Sequence, residues 1–407
     1  METAPVTYPL ASSSWDEDEA AALQRVIASG RFTMGEQVRE FERRFADYFG
    51  SRHALMVSSG SMANLVGVAA LFFRSNRPLQ RGDEVVVPAV SWATTYYPLQ
   101  QYGLRLRFLD VDLHTLNMDV TQLEAALSPR TRMVVAVSIL GNPAALAELR
   151  DFCDRHDLIL FEDNCESMGA RLDGRYAGTW GDIGTFSTFF SHHISTMEGG
   201  VLVTDDDELY QLACSLRAHG WTRDLPPDSG LYQRRGADFF EAYRFILPGF
   251  NARPLELSGA VGIEQLKKLD QLIAARRRNA AHFTGLFRDD ARLLIQREHG
   301  ESSWFAFTLL LHPGLADARG RVMAALKAAG IEFRIVTGGC FTRHNVIRYF
   351  DYDTVGDLPN ANLVHDQGFF VGNHPRDLRR ELDLLRRTID GCLGPDATGG
   401  EGWSWTR

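Results

Sequence analysis

Lysine is nearly missing from this chain. Only Lys267, Lys268 and Lys327 occur in 407 residues, and almost all of the basic charge is arginine. The first two-thirds therefore carries no side-chain primary amine, which excludes chemistry needing a lysine nucleophile there. Cysteine is sparse too: the five (Cys153, Cys165, Cys214, Cys340, Cys392) are scattered, odd in number and without a CxxC pair. That pattern fits a reducing cytoplasm and argues against a zinc site or an iron–sulfur cluster, so no metal is expected. No apolar run nears the ~20 residues of a membrane span. The opening residues METAP lack the basic start and apolar core of a secretion signal, and a cytoplasmic protein is expected. An excess of positive charge is also absent. Lys and Arg number 43 against 52 Asp and Glu, a formal charge of -9. Such a chain is ill suited to tracking nucleic acid or an anionic membrane.

What is present is ordinary folded composition, with 45% hydrophobic and 23% charged residues, which rules out disorder and fibrous repeats. The length suits one large domain with a smaller companion. Apolar residues at helical spacing (Leu23, Val26, Ile27; Val38, Phe41, Phe45, Phe49) predict helices between Asp16 and Phe49, punctuated by Gly30 and Gly35. Strand-like and helix-like segments then alternate. Residues 84–88, 106–109, 133–137, 158–161, 185–190 and 201–203 read as strands, with helices such as 62–73 and 146–156 between them. The acidic run 205–208 reads as a helix N-terminus. Short apolar runs separated by helices of this size predict βαβ units and a mainly parallel sheet covered on both faces. A long helix from 257 to about 287 leads into a second unit, with strands near 305–311 and 331–336 and helices near 320–329 and 377–389. The expected division is a large α/β domain over residues 1–255, a linking helix and small α+β domain over 256–393, and a loose Gly-rich tail over 394–407.

In an open parallel sheet, ligands sit outside the carboxyl ends of the strands, and three informative segments fall there. The turn SSGS at 58–61 precedes a helix. Small residues let the backbone approach an anion and free helix amides hold phosphate, although such turns also serve merely as N-caps. The string EDNCES at 162–167 places Asp163 at a strand end. There it is either a structural carboxylate or the partner of a protonated ring nitrogen in an electron-sink coenzyme. The third segment, FSTFFSHHISTMEGG at 186–200, carries two adjacent histidines.

Together these segments resemble the nucleotide-sugar aminotransferase family of fold type I (aspartate aminotransferase-like) pyridoxal-phosphate enzymes. In that family the third motif reads FSF…K-N…T-x-EGG, and its lysine tethers the coenzyme. Here His192 occupies the lysine position and His193 that of the usual asparagine. The strings VPAVSWATTYYPLQQYGLR, EDNCESMGA, SHHI-x-TMEGG, RAHGWTRDLP, LPGFNARPLELSGAVGIEQLKKL and FFVGNHP resemble a narrower branch, sugar 3-dehydratases of dideoxysugar (colitose-type) synthesis for surface polysaccharide. The likeness runs from Tyr8 to Asn373. It implies pyridoxal 5′-phosphate or pyridoxamine 5′-phosphate held noncovalently, with GDP-4-keto-6-deoxymannose and L-glutamate as substrates. A histidine-bearing relative that works with an iron–sulfur cluster needs a compact cysteine set, which this chain lacks.

By motif position, the resemblance implies His192 as the proton-transferring catalytic group, since imidazole titrates near ~6.5 and cannot form the stable lysine-type bond. Adjacent side chains on an extended segment point to opposite faces, so His193 is expected in a supporting role. Gly60, Ser61 and Ser187 are expected at the coenzyme phosphate, Trp92 on its ring, Asp163 at the ring nitrogen and Glu166 near the phenolic oxygen. Asn251, reaching the phosphate, and Arg253, reaching the glutamate carboxylate, look like groups delivered by a second subunit, which implies at least a homodimer. His219 and Arg223 are expected near the substrate. Two rivals stand beside this reading: a sugar aminotransferase making a 4-amino sugar, opposed by the missing lysine, and a catalytically silent coenzyme-binding regulator.

Overall fold

The computed structural model describes residues 5–236 and 238–394. Of the tail expected to be loose, residues 395–407, with both of its tryptophans, lie outside the described residues.

The N-terminal segment forms two helices. Glu17–Ser29 begins with Asp16 and Glu19 capping each other's backbone amides and ends at Gly30, whose φ of 66° only glycine adopts cheaply. Glu36–Phe49 has no side-chain cap of its own. The carboxylate of Glu256 takes that place, accepting from the amides of Gly35 at 2.6 Å and Gln37 at 2.7 Å.

An eight-stranded sheet runs in the order His53–Val57, Gly200–Thr204, Ile183–Ser187, Ile159–Asp163, Thr131–Val137, Glu84–Pro88, Arg105–Leu109 and Tyr352–Thr354. Every neighbouring pair is parallel except the two made by Gly200–Thr204. All five residues of Glu84–Pro88 are buried, as a strand covered on both faces requires. Gly60–Phe73 lies against one face so closely that a Cβ at Gly67 would come within 2.9 Å of the Phe161 ring. On the other face Leu149 and Phe152 of Leu146–Arg155 join Val86, Val134 and Leu160 in one apolar cluster.

Glu256–Phe287, 32 residues long, packs on both N-terminal helices and leads to a four-stranded antiparallel sheet. That sheet runs Leu293–Ile295, Ala306–Leu311, Gly368–Gly372, Phe333–Arg334. Phe283, Phe287, Phe307 and Phe369 meet Leu382, Leu385 and Ile389 of Arg379–Leu393 in its core. Tyr352–Thr354, late in the chain, returns to the edge of the large sheet.

Two expectations need correction. The strand read over 185–190 ends at Ser187, and 188–199 is a chain of turns and bends, cross-tied by the hydroxyls of Thr188 and Thr196 at 2.6 Å. The histidine pair therefore does not lie on extended backbone. The strand read over 331–336 shrinks to Phe333–Arg334, because the chain turns at Val336–Gly338 beside the cavity described next.

Candidate active site

A cavity of about 600 Å³ opens at the carboxyl ends of the parallel strands and is closed from the second sheet by Phe305, Ala306, Arg334, Thr337 and Phe370. Its floor is the start of Gly60–Phe73. Ser59 caps that helix, its hydroxyl accepting from the Met62 amide at 3.2 Å, which leaves the first amides aimed into the cavity. Gly60 has no room for a side chain, since a Cβ there would sit 2.7 Å from the Cβ of Ser187. Gly200 lies just as tightly, its would-be Cβ 2.3 Å from the Ser59 carbonyl oxygen. The paired glycines after Glu198 thus let two backbones and the Ser187 hydroxyl crowd around one concave, amide-lined spot.

Asp163 ends its strand 6% exposed. Asn64 donates to its Oδ2 at 2.9 Å, Thr95 to the same oxygen at 2.7 Å, and the Cys165 amide to Oδ1 at 3.2 Å. Asn64 is itself oriented by the Thr185 hydroxyl, which donates to its carbonyl at 2.6 Å. A carboxylate held this firmly, with no guanidinium or ammonium in salt-bridge range among the described residues, suits a cationic ligand atom. Glu166 differs. Burial, with a smaller push from the neighbouring Asp163 charge, raises its carboxyl to about 8 against the pull of the Leu140 amide, which donates to it at 2.9 Å. Leu140 makes that bond from a left-handed φ of 54°. Met197, Trp304 and Thr337, at or beside the cavity wall, are left-handed too, a clustering of backbone strain that marks functional sites.

His192 lies half-buried on the wall, its ring edge-on to Phe305 at 5.1 Å and to Phe189 at 5.9 Å. Its Nδ1 has no hydrogen-bond partner among the described residues. Burial and then the charge of Arg276 hold the imidazole down to about 3, so it is neutral at physiological pH. His193 is fully buried behind it, its Nε2 3.1 Å from the Ser303 carbonyl oxygen, and does not line the cavity. A bend rather than strand alternation separates the two rings.

The structure thus gathers Gly60, Ser61, Trp92, Asp163, Glu166, Ser187 and His192 around one cavity. Trp92 stands at the rim, 60% exposed. Asn251, Arg253, His219 and Arg223 do not line it. They sit together elsewhere: Arg253 donates to Asn251 at 3.0 Å, and Arg223 lies 4.4 Å over the Trp221 ring, with His219 at its edge. Sequence reasoning missed Asn64, Thr95, Phe305 and Arg334. Asn64 had a readable signal, a lone amide inside the apolar helix GSMANLVGVAALFF; the other three had none. An amide-lined cradle with no room for a Cβ, an anchored buried carboxylate and an imidazole on one cavity fit a pyridoxal-type coenzyme.

Residues 13–382 match the model of the DegT/DnrJ/EryC1/StrS aminotransferase family, and the chain belongs to that family. Within it, the chain is 51% identical over 382 residues to the GDP-4-keto-6-deoxy-D-mannose 3-dehydratase of Yersinia pseudotuberculosis, covering 93% of this chain and 97% of that protein. It superposes with a TM-score of 0.93 and 49% identity on the Escherichia coli enzyme of the same name with bound hydrated PLP, over 95% of this chain and 100% of that one. A structure of a GDP-4-keto-6-deoxymannose-3-dehydratase with a trapped PLP-glutamate geminal diamine matches at a TM-score of 0.92 and 49% identity, over 94% and 100% of the two chains. The fold is therefore that of the fold type I coenzyme enzymes, as the motifs implied.

Proposed function

We propose that this protein removes the C3 hydroxyl of GDP-4-keto-6-deoxymannose, using pyridoxal/pyridoxamine phosphate and L-glutamate, and yields the 4-keto-3,6-dideoxy sugar, 2-oxoglutarate and ammonia, the oxidation of glutamate balancing the loss of the sugar oxygen. One observation carries the reading: His192, which the resemblance puts at the motif position of the family's lysine, lines the cavity, and among the described residues no amine lines it. Two of the three lysines are engaged elsewhere, Lys267 with Glu264 and Lys268 with Asp16 and Glu19. Similarity to two proteins of this named activity over nearly the whole chain supports the substrate.

When bound, the coenzyme supplies an electron sink and carries glutamate's amino group to the sugar ketone. The chain's own residues do the rest. Gly60 and Ser61 offer helix amides, and Ser61 and Ser187 offer hydroxyls, to the phosphate. Asp163, fixed by three donors, would pair with the ring nitrogen and keep it protonated. Trp92 would cover one face of the ring. Glu166, raised to about 8, is a neutral donor beside the phenolic oxygen. His192 lines the cavity and is neutral, so its imidazole can accept a proton. Once charged near the Arg276 cation, it passes that proton on to the departing hydroxyl. His193 stays neutral and braces the loop through Ser303.

Asn251, Arg253, His219 and Arg223 we assign to the cavity of a second subunit, Arg253 gripping the carboxylate of glutamate, so that the working unit is at least a homodimer. We read the chain as a coenzyme-binding part over 1–255 and a smaller part over 256–393. No helix among the described residues is long and apolar enough to cross a membrane, and we place the enzyme in cytoplasmic dideoxysugar synthesis for surface polysaccharide. The decisive experiment incubates the protein with pyridoxal phosphate, glutamate and GDP-4-keto-6-deoxymannose and weighs the sugar by mass spectrometry. Loss of oxygen is expected. Gain of nitrogen would make the protein an aminotransferase, and an unchanged sugar would leave it a silent coenzyme binder.

A further inference from the structure

Arg276 sits in the middle of Glu256–Phe287 and is 3% exposed. A guanidinium so deep normally faces a carboxylate, as Arg217 faces Glu42. Arg276 has no carboxylate within salt-bridge range among the described residues. Its partners are three main-chain carbonyls from three separate segments. Nη1 donates to Phe305 at 3.1 Å and to Asn373, and Nη2 makes a longer contact of 3.4 Å to His192. Asn373 ties the knot from the other side, its amide donating to the carbonyls of Arg276 at 3.2 Å and Trp304 at 2.8 Å. Asn279, one turn along the helix, donates to the carbonyls of His374 and Arg376 at 2.8 Å each. The loop that bears His192, the strand entrance that bears Phe305 and the end of Gly368–Gly372 therefore meet on one charge.

We propose that Arg276 is a positioning residue for His192, gathering the carbonyls of His192, Phe305 and Asn373 so that the imidazole is held edge-on to Phe305 and aimed into the cavity. This rests on reading His192 as the proton carrier. A loop of turns and bends has no ladder to fix a side chain at its tip, and a planar fork that spans several carbonyls supplies one. The charge does a second job. Arg276 keeps its proton even though burial lowers it to about 10. The other titratable or charged groups around the imidazole are His193 beside it, Glu198 farther along its loop, Asp163, Cys165 and Glu166 at the strand ends, and Arg334 from the second sheet. Arg276 stands behind the ring as an uncompensated cation and disfavours a second positive charge there. Proton transfer is then one-way in storage: the resting imidazole is empty, and a proton taken up is readily given back.

The test uses the full-length protein with and without coenzyme, isotope-labelled at histidine so that ring titration is read by NMR, with His192→Asn assigning the signal. Arg276→Met is expected to move the His192 midpoint up by about one unit. It should also lower kcat for deoxygenation ~10- to 100-fold, with KM for glutamate nearly unchanged. Arg276→Lys keeps the charge but cannot span three carbonyls, so the midpoint should hold while kcat still falls ~10-fold. A wild-type midpoint and kcat in Arg276→Met overturns the proposal. If that variant does not fold, a wild-type kcat in Arg276→Lys overturns it instead. Full turnover by His192→Asn would sink the reading of His192 itself; an inert His192→Asn beside normal Arg276 variants would sink this inference alone.

Discussion

The cavity wall and the segment from His219 to Arg253 are built in opposite ways. On the wall three polar groups have their partners inside the same chain: Asp163 accepts three bonds, Asn64 is oriented by Thr185, and Glu166 is held by Leu140. The other segment turns its large side chains outward. Phe239 is 78% exposed, Phe240 73%, Tyr243 63% and Phe245 56%, with Arg223 and Arg253 lying over Trp221 among them. Apolar surface concentrated in this way marks an interaction site. The wall is thus the more complete half of the site within a single chain; on the function proposed above, the open half supplies a second subunit with Asn251 at the phosphate and with the glutamate and sugar contacts.

The harshest way to test that division is to disable the complete half. His192→Asn should cut deoxygenation by ~10²- to 10⁴-fold, the usual worth of a general acid–base group. Coenzyme affinity should stay, because the phosphate cradle and Asp163 are untouched, and equilibrium titration of pyridoxamine phosphate measures this. His192→Lys should allow borohydride to fix the coenzyme to the chain, visible as added mass, which the parent protein does not allow. An Asn variant with full activity would move the chemistry to another residue.

The open half breaks more gently. Arg253→Ala should lower kcat/KM for glutamate ~100-fold by losing a forked carboxylate contact. If that arginine serves the neighbouring subunit, co-refolding the Arg253→Ala and His192→Asn proteins builds mixed dimers in which one site has both residues. About a quarter of parent activity should then return from two weak parents. No recovery would place Arg253 in its own chain's site and remove the contrast drawn above.

That contrast also explains what could be read in advance. Glu84–Pro88 was legible to the residue because its run of three valines, as a strand buried on both faces requires, is bounded by turns. The strand-end motifs were legible because their composition is dictated by close approach, as the 2.7 Å gap at Gly60 shows. Ala93–Gln101 was not: it carries Pro98 inside the helix, which reads as a break. Tyr352–Thr354 was equally hidden, since three polar-leaning residues at a sheet edge have no periodicity to show. Arg334 and Phe305 reach the cavity only because the second sheet folds over the first, a tertiary fact that no local pattern announces.

The smallest expected effect lies within the complete half, at the buried carboxyl of Glu166. Glu166 in the folded chain holds its proton to about 8, whereas the unfolded chain releases it near the ordinary value of 4.5. The neutral carboxyl therefore contributes stability that is full below that ordinary value and is lost as pH rises through about 8. Glu162, raised to about 7 by burial despite accepting from the amides of Gly178 and Gly181, adds to the same slope. The coenzyme-free protein should thus melt at falling temperature from about pH 5 to about pH 8.5. Glu166→Gln keeps an acceptor for the Leu140 amide but has no proton to lose, so its melting temperature should decline less over that range. Calorimetry of the two proteins side by side measures the difference. An identical slope would mean that Glu166 is ionised throughout, and a neutral donor beside the coenzyme's phenolic oxygen would have to be sought elsewhere on the wall.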